Sequence, residues 1–224
     1  MSTKVKTRKK APPARKVKAT EAPPAADTRR TVMLTAAFEA FVKQGVSGAT
    51  TDEIARRACV SKREIYRIFG SKEGLFAELV AERGRTMHQG LELVPPTSPE
   101  SALAALERFG REFLNLLTAP SSIAVYRMAI AEASSLPELG RQLDVQGREV
   151  VRQGLQRWLA DARQRQVLRV SDPERAAGSF LAILMGDLPL RLMLGAIKQP
   201  EPAELAHRAG VARIAFQRLW LPTV

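Results

Sequence analysis

Apolar residues recur along most of this chain three and four positions apart, which is the spacing of helices with one buried face. In the first such segment, from Asp27 or Thr28 to Lys43, large apolar side chains follow this spacing, and Gly45 stands just past the end, where helices commonly stop. No segment alternates apolar and polar residues convincingly at the period of two expected for a strand. The pattern therefore predicts an all-α protein without internal repeats.

The segment 50–76 contains closely spaced signals for helix starts. Thr50-x-x-Glu53 and Ser61-x-x-Glu64 both have the form of a capping box, in which a hydroxyl accepts from a backbone N–H and a carboxylate bonds back. These signals predict two short helices joined by a tight turn.

The two short helices differ in the surface that they expose. In the first, Ile54, Ala55 and Ala58 form one buried face. In the second, Ile65 and Phe69 lie four apart and face inward. The opposite side of the second helix carries Lys62, Arg63, Tyr66 and Arg67. A basic, exposed second helix is typical of a helix-turn-helix whose second helix enters the DNA major groove.

The rest of the chain is predicted to be helical. Ser71 offers the next cap, for a helix from about Lys72 to Gln89, and the proline-rich stretch 95–99 separates this helix from those that follow. Two later helices begin with a capping residue, a proline and an acid, at Ser98 and Asp172. The further helices are predicted at about 100–119, 122–133, 138–164, 173–195 with an interruption at Pro189, and 202–219.

Three regions follow from this pattern. Residues 1–27 hold eight lysines or arginines, four prolines and almost no large apolar side chain, which predicts a disordered basic tail. The tail either improves solubility or, as we favour, contacts DNA phosphates or a minor groove. Residues 28–72 are predicted to form the helix-turn-helix domain, and residues 73–224 a larger helical domain whose first helix connects the two.

Charge and composition narrow the partners. A formal net charge of +12 and a pI of about 10.5 favour nucleic acid or an anionic membrane surface, and the helix-turn-helix decides for double-stranded DNA. Cys59 is the single cysteine, and the chain has two histidines, so no disulfide, metal centre or cofactor is predicted. No apolar run approaches the ~20 residues of a membrane span, and the basic start lacks the apolar core of a signal peptide. A reducing, cytoplasmic setting is the simplest interpretation.

Four stretches agree in order, spacing and residue type with a known family: Leu34-x-Ala-Ala-Phe38…Gly45, Ala49-Thr-Thr-Asp-Glu-Ile-Ala55, Ala58-Cys-Val-Ser61, and Ile65-Tyr66…Phe69-Gly-Ser-Lys72-Glu-Gly-Leu75-Phe76. On these residues, the segment from about Arg30 to Leu79 closely resembles the N-terminal domain of the TetR/AcrR family of transcriptional regulators. The run Tyr126-Arg-Met-Ala-Ile-Ala-Glu-Ala-Ser134…Leu136-Pro137-Glu138-Leu139 also resembles a segment common in AcrR-like members, though less specifically.

The resemblance implies a set of DNA-binding residues. Thr50 and Thr51 would meet the phosphate backbone at the start of the second helix. Arg63 would contact base edges, with a bidentate bond to guanine as the expected contact. The complete predicted set is Thr50, Thr51, Ser61, Lys62, Arg63, Tyr66, Arg67 and Lys72, with Lys62 at base edges, Tyr66 and Lys72 at phosphates, and Arg67 at either.

Two positions depart from the family pattern. Glu64 stands where many members have a small hydroxyl that touches DNA; it either accepts from a cytosine amino group or, as we favour, serves the capping box. Cys59 replaces a glycine common at the turn. A positive φ there would be strained for cysteine, so we expect Cys59 to pack as a small buried hydrophobe, with a redox switch as the less favoured alternative.

The resemblance further implies that the C-terminal helices enclose a ligand cavity and form a homodimer. The large residues predicted near the cavity are Phe109, Phe113, Met128, Trp158, Phe180 and Met185, with a purely structural core role as the alternative for each. Arg127 would meet an acidic ligand or pair with a glutamate. The last two helices, with several alanines and glycines, would pack against those of a second subunit and so present two recognition helices to a near-palindromic operator.

The function implied by the resemblance is a transcriptional regulator, foremost a repressor that a small-molecule effector releases from its operator. An architectural DNA-binding protein without a ligand is the alternative. An enzyme is not favoured, because the sequence lacks paired carboxylates on one helix face, a nucleophile–histidine arrangement and a phosphate loop. A family member that does not bind DNA is disfavoured by Lys62, Arg63, Tyr66 and Lys72.

Overall fold

The computed structural model describes residues 26–92 and 95–221, with side chains for 28–82 and 95–221. All regular structure in these residues is helical, which confirms the all-α prediction. The helices are α1 (Ala26–Gly48), α2 (Thr51–Ala58), α3 (Lys62–Phe69), α4 (Lys72–Glu92), α5 (Pro99–Thr118), α6 (Pro120–Ala131), α7 (Pro137–Leu143), α8 (Glu149–Gln164), α9 (Pro173–Met185), α10 (Leu188–Met193) and α11 (Pro202–Trp220). None of these helices is long and apolar enough to span a membrane.

The predicted tail, 1–27, lies outside the described residues except for Ala26 and Asp27, which begin α1. The helical path of α1 breaks at Gly45, whose φ of +74° and ψ of 167° lie in a region that glycine adopts at little cost. The break is where the sequence predicts the first helix to stop. The last residues of α1 beyond this break, 46–48, and Ala49 lead into α2, and we call residues 46–49 the α1–α2 turn.

Prolines start several helices, as the sequence predicts. Pro99 and Pro173 occupy first-turn positions after the capping residues Ser98 and Asp172, where a missing N–H costs no helical bond. A π-helical turn, Asp144–Arg148, joins α7 to α8, so that 137–164 is continuously helical. The predicted helix over 173–195 is divided at Gly186, which has a φ of +49°.

The core of the N-terminal domain is formed by α1 to α4. Its completely buried side chains include Phe41, Ile54, Ile65 and Phe76. The same cluster continues into α6 and α7, which contribute Val125, Met128, Ala129 and Leu139. The helix-turn-helix therefore rests on the C-terminal domain as well as on its own helices.

The core of the C-terminal domain lies among α5, α8, α9 and α11. Phe109, Phe180 and Phe216 are packed in its interior: the ring centroids of Phe180 and Phe216 are 6.1 Å apart at 84°, and those of Phe180 and Phe109 are 6.4 Å apart. Edge-to-face contacts of this kind stabilise a core beyond the area that they bury. This core supports one side of a cavity that is described below.

Candidate functional site

Two capping hydroxyls fix the starts of α2 and α3. The Thr50 Oγ1 atom accepts from the Glu53 N–H at 3.2 Å, and the Ser61 Oγ atom accepts from the Glu64 N–H at 3.1 Å. Only this half of each predicted capping box is formed. The Glu53 carboxylate instead accepts from Arg57 at 2.7 Å, and the Glu64 carboxylate pairs with Arg29. The hydrogen bond from Arg57 lowers the pKa of Glu53. The caps satisfy backbone donors that would otherwise have no partner at each helix start.

One side of α3 is an exposed basic surface. Ile65 faces the core and is completely buried, while Lys62, Arg63, Tyr66 and Arg67 are exposed on the other side. Arg63 and Arg67 have no hydrogen bond or ion pair to any residue that the structure describes. Their guanidinium groups can therefore bind DNA without first breaking a contact to another described residue.

Lys62 and Tyr66 already have partners on α2. The Lys62 ammonium lies 2.9 Å from the Asp52 carboxylate, and this hydrogen bond raises the pKa of Lys62. Because both groups are largely exposed, the ion pair adds little to stability, and DNA can replace Asp52 as the partner of Lys62. The Tyr66 hydroxyl lies 3.3 Å from the Thr51 Oγ1 atom, which joins two predicted phosphate contacts.

Lys72, a predicted phosphate contact, has partners within the protein. Its ammonium donates to the carbonyl oxygens of Val46, Ser47 and Ala49 at 2.9, 3.0 and 2.9 Å. An ammonium has three donors, and all three are used here. Lys72 thus holds the α1–α2 turn in place, so a bond to phosphate would require it to give up one of these carbonyls.

The Glu64 side chain is directed toward α1, while its backbone N–H donates to the Ser61 cap of α3. Its carboxylate forms a long ion pair with Arg29 at 3.5 Å and is only 22% exposed. The Glu64 carboxylate thus has a structural partner, but the capping box favoured from the sequence is not completed, because the ion pair with Arg29 takes the place of its return bond.

The turn between α2 and α3 places Cys59 in the left-handed region, with a φ of +54° and a ψ of 41°. Its side chain is exposed, so the expectation of a small buried hydrophobe is wrong. The backbone N–H of Cys59 caps α2 by donating to the Ala55 and Arg56 carbonyls, and this cap requires the positive φ. The conformation is the strained one anticipated for a cysteine at a glycine position.

Replacing Cys59 by glycine is expected to raise the free energy of unfolding by roughly 0.5–1 kcal/mol, since glycine adopts a positive φ without the cost of a Cβ. Urea unfolding followed by circular dichroism measures the change. Cys59→Ala is the matched control, because alanine removes the thiol but keeps the Cβ. Equal stability of the glycine and alanine variants would contradict a conformational cause.

An apolar cavity of about 220 Å³ lies between α4 and the helices of the C-terminal domain. Its lining includes two of the six predicted ligand residues, Phe113 and Met185. The other four pack elsewhere: Phe109, Trp158 and Phe180 lie in the C-terminal core and Met128 in the N-terminal core. The remaining lining residues are Val80, Leu116, Leu117, Ser122, Val125, Tyr126, Leu143, Gly147, Arg148, Val151, Leu181 and Pro189.

Three polar residues of the cavity lining are absent from the sequence predictions. The Ser122 Oγ atom is buried and has no hydrogen-bond partner among the described residues. Burial raises the pKa of the Tyr126 phenol, so this group is neutral at physiological pH. Arg148 is paired with Asp144, one helical turn away. A buried hydroxyl without a partner is unfavourable, and a ligand in the cavity can supply the missing bond.

Comparison with known proteins decides the family. Residues 33–79 match the model for bacterial regulatory proteins of the tetR family, and residues 104–217 match the model for the C-terminal domain of AefR-like transcriptional repressors. The chain belongs to the TetR family. It is therefore a DNA-binding transcriptional regulator, as the resemblance implied.

Individual relatives match most of the chain. YvkB of Bacillus subtilis (strain 168), an uncharacterized HTH-type transcriptional regulator, is 25% identical over 181 residues, 78% of this chain and 90% of its own. The structure of the flavonoid-responsive regulator FrrA is 30% identical with a TM-score of 0.70, covering 89% of this chain and 100% of that one. A TetR-family structure from Mesorhizobium loti MAFF303099 has a TM-score of 0.76 at 23% identity with the same coverage, which supports the fold alone.

This TetR-family regulator also exposes an apolar surface on α9, α10 and α11. The large apolar side chains on it are Ile183, Leu190, Leu194, Val211, Ile214 and Leu219, which are 37–73% exposed. Of the small residues expected at a subunit interface, Gly178 and Gly210 have space above them, whereas Ala177, Ala209 and Ala212 are completely buried within the protomer. These three alanines are therefore excluded from the surface, whereas Ala182 is exposed on it.

Proposed function

We propose that this TetR-family regulator binds a near-palindromic operator as a homodimer and is released from it, as a repressor, when a small apolar molecule occupies the cavity. The observation that carries the proposal is the cavity itself, because its wall includes Val80 of α4, the helix that begins directly after the helix-turn-helix. A molecule that binds one arrangement of α4 better than another shifts the protein toward that arrangement.

The predicted DNA-binding residues support the first part of the proposal. Arg63 and Arg67 present guanidinium groups without partners in the described residues, on the same helix as the exposed Tyr66, whose hydroxyl lies 3.3 Å from that of the buried Thr51. Arginine suits base recognition because its planar fork matches the O6 and N7 atoms of guanine. Hydroxyls and helix N-termini suit phosphate oxygens.

The apolar surface on α9 to α11 supports the homodimer. Exposed Leu190 and Leu194 lie one helical turn apart, and Val211 and Ile214 have the matching helical spacing on α11. A two-fold interface of these helices would bury the side chains against the same side chains of the second copy. The second subunit then supplies the second recognition helix, so that the operator has two half-sites.

The lining of the cavity defines the chemical class of the effector. Its wall is almost entirely apolar, Tyr126 is neutral, and the charge of Arg148 is balanced by Asp144. A charged molecule would lose its hydration there without gaining a counter-ion. The proposed effector is therefore compact, uncharged and mostly apolar, with one hydroxyl or carbonyl for Ser122. Because the similar regulator FrrA is flavonoid-responsive, uncharged phenolic compounds are the first to test.

Selection of bound duplexes from a random DNA library by the full-length protein tests the DNA-binding part. We expect enrichment of a near-palindrome with half-site centres separated by one helical turn, about 34–36 Å, or by a multiple of it. Failure to enrich any sequence would contradict operator binding, and enrichment of a single unpaired half-site would contradict the two-fold dimer.

The Leu116→Trp variant tests the cavity, because the larger side chain occupies part of its volume. We expect it to bind N-phenyl-1-naphthylamine, a neutral apolar dye, at least about tenfold more weakly than the wild type, a loss of ~1.4 kcal/mol. Its affinity for the selected operator should remain. Dye fluorescence measures the first quantity and DNA anisotropy the second.

Leu103→Trp is the control for this variant, since Leu103 lies on the same helix and outside the cavity lining. Equal dye affinity of the two variants would show that the dye binds elsewhere. The operator affinity of the wild type is also compared with and without uncharged apolar compounds that fill the cavity. If none of them changes this affinity, the alternative of a DNA-binding protein without a ligand is favoured.

A further inference from the structure

The C-terminal end of α6 contacts the α1–α2 turn through Glu132. Its carboxylate accepts from the Ser47 N–H at 3.0 Å and from the Ser47 hydroxyl at 2.7 Å. It also accepts from Ser135 at 2.9 Å, and these hydrogen bonds, with the backbone N–H of Ser47 foremost, lower the pKa of Glu132. A charged acceptor with several donors is among the stronger polar contacts on a protein surface.

The same turn is also held by Lys72. While Glu132 accepts the N–H and hydroxyl of Ser47, Lys72 donates to three carbonyls of the turn. Gly45 leaves room for Glu132, because a Cβ at that position would make a tight contact of 3.2 Å with the Glu132 Oε1 atom, and its φ of +74° is one that other residues rarely adopt. The α1–α2 turn is therefore fixed by one residue from α4 and one from the C-terminal domain.

Besides packing Val125, Met128 and Ala129 against the N-terminal core, α6 is tied to the rest of the C-terminal domain. Arg127 donates to the carbonyls of Met193 at 2.9 Å and Leu192 at 2.8 Å, at the end of α10. This is neither of the roles expected for it, an acidic ligand or a glutamate partner. In the same helix, Ser122, Val125 and Tyr126 form part of the cavity wall. The C-terminal domain thus sets the position of α6, and Glu132 links the α1–α2 turn to α6 in that position.

We infer that Glu132 is a positioning residue for DNA binding, which sets the start of α2, and with it the orientation of the helix-turn-helix, relative to the C-terminal domain. The α1–α2 turn leads within two residues to Thr50 and Thr51, the predicted phosphate contacts. Glu132 therefore gives the two domains a polar connection in addition to α4 and the apolar contacts of α6 and α7. The inference rests on the proposed DNA binding by α2 and α3.

The negative charge of Glu132 makes the inference testable. DNA is a polyanion, so removing a carboxylate from an ordinary surface position leaves its affinity unchanged or increases it. Loss of a positioning residue instead weakens binding to the operator. The slope of log K against log salt stays the same, because Glu132 itself meets no phosphate.

The experiment compares Glu132→Ala with Glu138→Ala, a variant with the same change of charge whose carboxylate pairs with Arg141 on α7. We expect Glu132→Ala to bind the selected operator at least about fivefold more weakly, within the usual range of coupling between distant sites. Glu138→Ala should equal or exceed the wild type. Glu132→Gln, which keeps an oxygen acceptor for the Ser47 N–H, should fall between them.

Hydrogen exchange in the absence of DNA tests the contact separately. The Ser47 amide should exchange at least about tenfold faster in Glu132→Ala than in Glu138→Ala, because its acceptor is gone. Operator affinity of Glu132→Ala equal to or above the wild type, or unchanged exchange at Ser47, would overturn the inference. If the wild type selects no operator, the proposed function fails, and faster exchange at Ser47 would then leave Glu132 as a structural link only.

Discussion

The Arg63→Ala variant is expected to bind the selected operator roughly 5- to 150-fold more weakly per half-site, equivalent to about 1–3 kcal/mol, and to discriminate less among bases at one position of each half-site. The reason is geometric. Arg63 lies in the first turn of α3, is exposed, and has no partner among the described residues, so its guanidinium is available to a guanine. In a two-fold dimer the loss occurs at both half-sites.

The measurement is fluorescence anisotropy on the selected operator and on a shuffled duplex of the same length, at one fixed salt concentration. Arg111→Ala is the matched control, because Arg111 is an exposed arginine on α5 without a partner in the described residues and far along the chain from α3. We expect the control to keep the ratio of operator to shuffled affinity. If Arg63→Ala lowers the affinity for both duplexes by the same factor, Arg63 contacts a phosphate instead of a base.

The Phe180→Ala variant should lose about 3–5 kcal/mol of unfolding free energy, the usual cost of removing a buried aromatic ring. Phe180 is completely buried, and its ring contacts those of Phe109 and Phe216. Its removal leaves a void among α5, α9 and α11, the helices that hold the C-terminal domain together. Urea unfolding at fixed protein concentration measures the loss, since a dimer makes stability depend on concentration.

Phe180→Leu and Phe113→Ala are the controls for this prediction. The leucine variant keeps most of the volume and should lose roughly 1–2 kcal/mol. Phe113 borders the existing cavity, so Phe113→Ala should cost less stability than Phe180→Ala but change the affinity for N-phenyl-1-naphthylamine. A large effect of Phe180→Leu on dye binding would return Phe180 to the ligand site that the sequence predicted for it.

Helix boundaries were predictable because their causes are local. The hydroxyl at Thr50 or Ser61 caps a helix that begins at the next residue, and Gly45 ends a helix within its own neighbourhood. The exposed face of α3 was predictable for the same reason, since residues four apart on a short helix share a side. These features need no knowledge of how distant segments meet.

The cavity was predicted in kind but only partly in its residues, because it lies where several helices meet. Phe109 and Phe113 are the same residue type and lie one turn apart on α5. Phe113 nevertheless borders the cavity, whereas Phe109 packs on Phe180. Spacing within one helix indicates a buried face without telling which part of that face meets an empty volume. For the same reason, Ser122 and Tyr126 were not predicted to line the cavity, because the prediction was based on large apolar side chains.

Lys72 and Cys59 show two further limits. The family pattern gives the residue type at 72, but its three carbonyl partners come from the α1–α2 turn, more than twenty positions earlier in the chain. For Cys59, the glycine common at this position pointed to a positive φ, which the structure has. The prediction of a buried side chain instead followed the common behaviour of free cysteines. Backbone requirements at a tight turn outweighed the preference of the side chain.

The hydrogen bonds between Glu132 and Ser47 also bear on chimeric regulators. Joining the helix-turn-helix of one TetR-family member to the effector domain of another is a natural way to build a new biosensor. In this protein such a junction placed within α4 would preserve the connecting helix and still separate Ser47 from Glu132. A recipient domain therefore needs an acceptor at the end of its own α6 opposite the grafted turn, and the donor turn needs a glycine where this chain has Gly45.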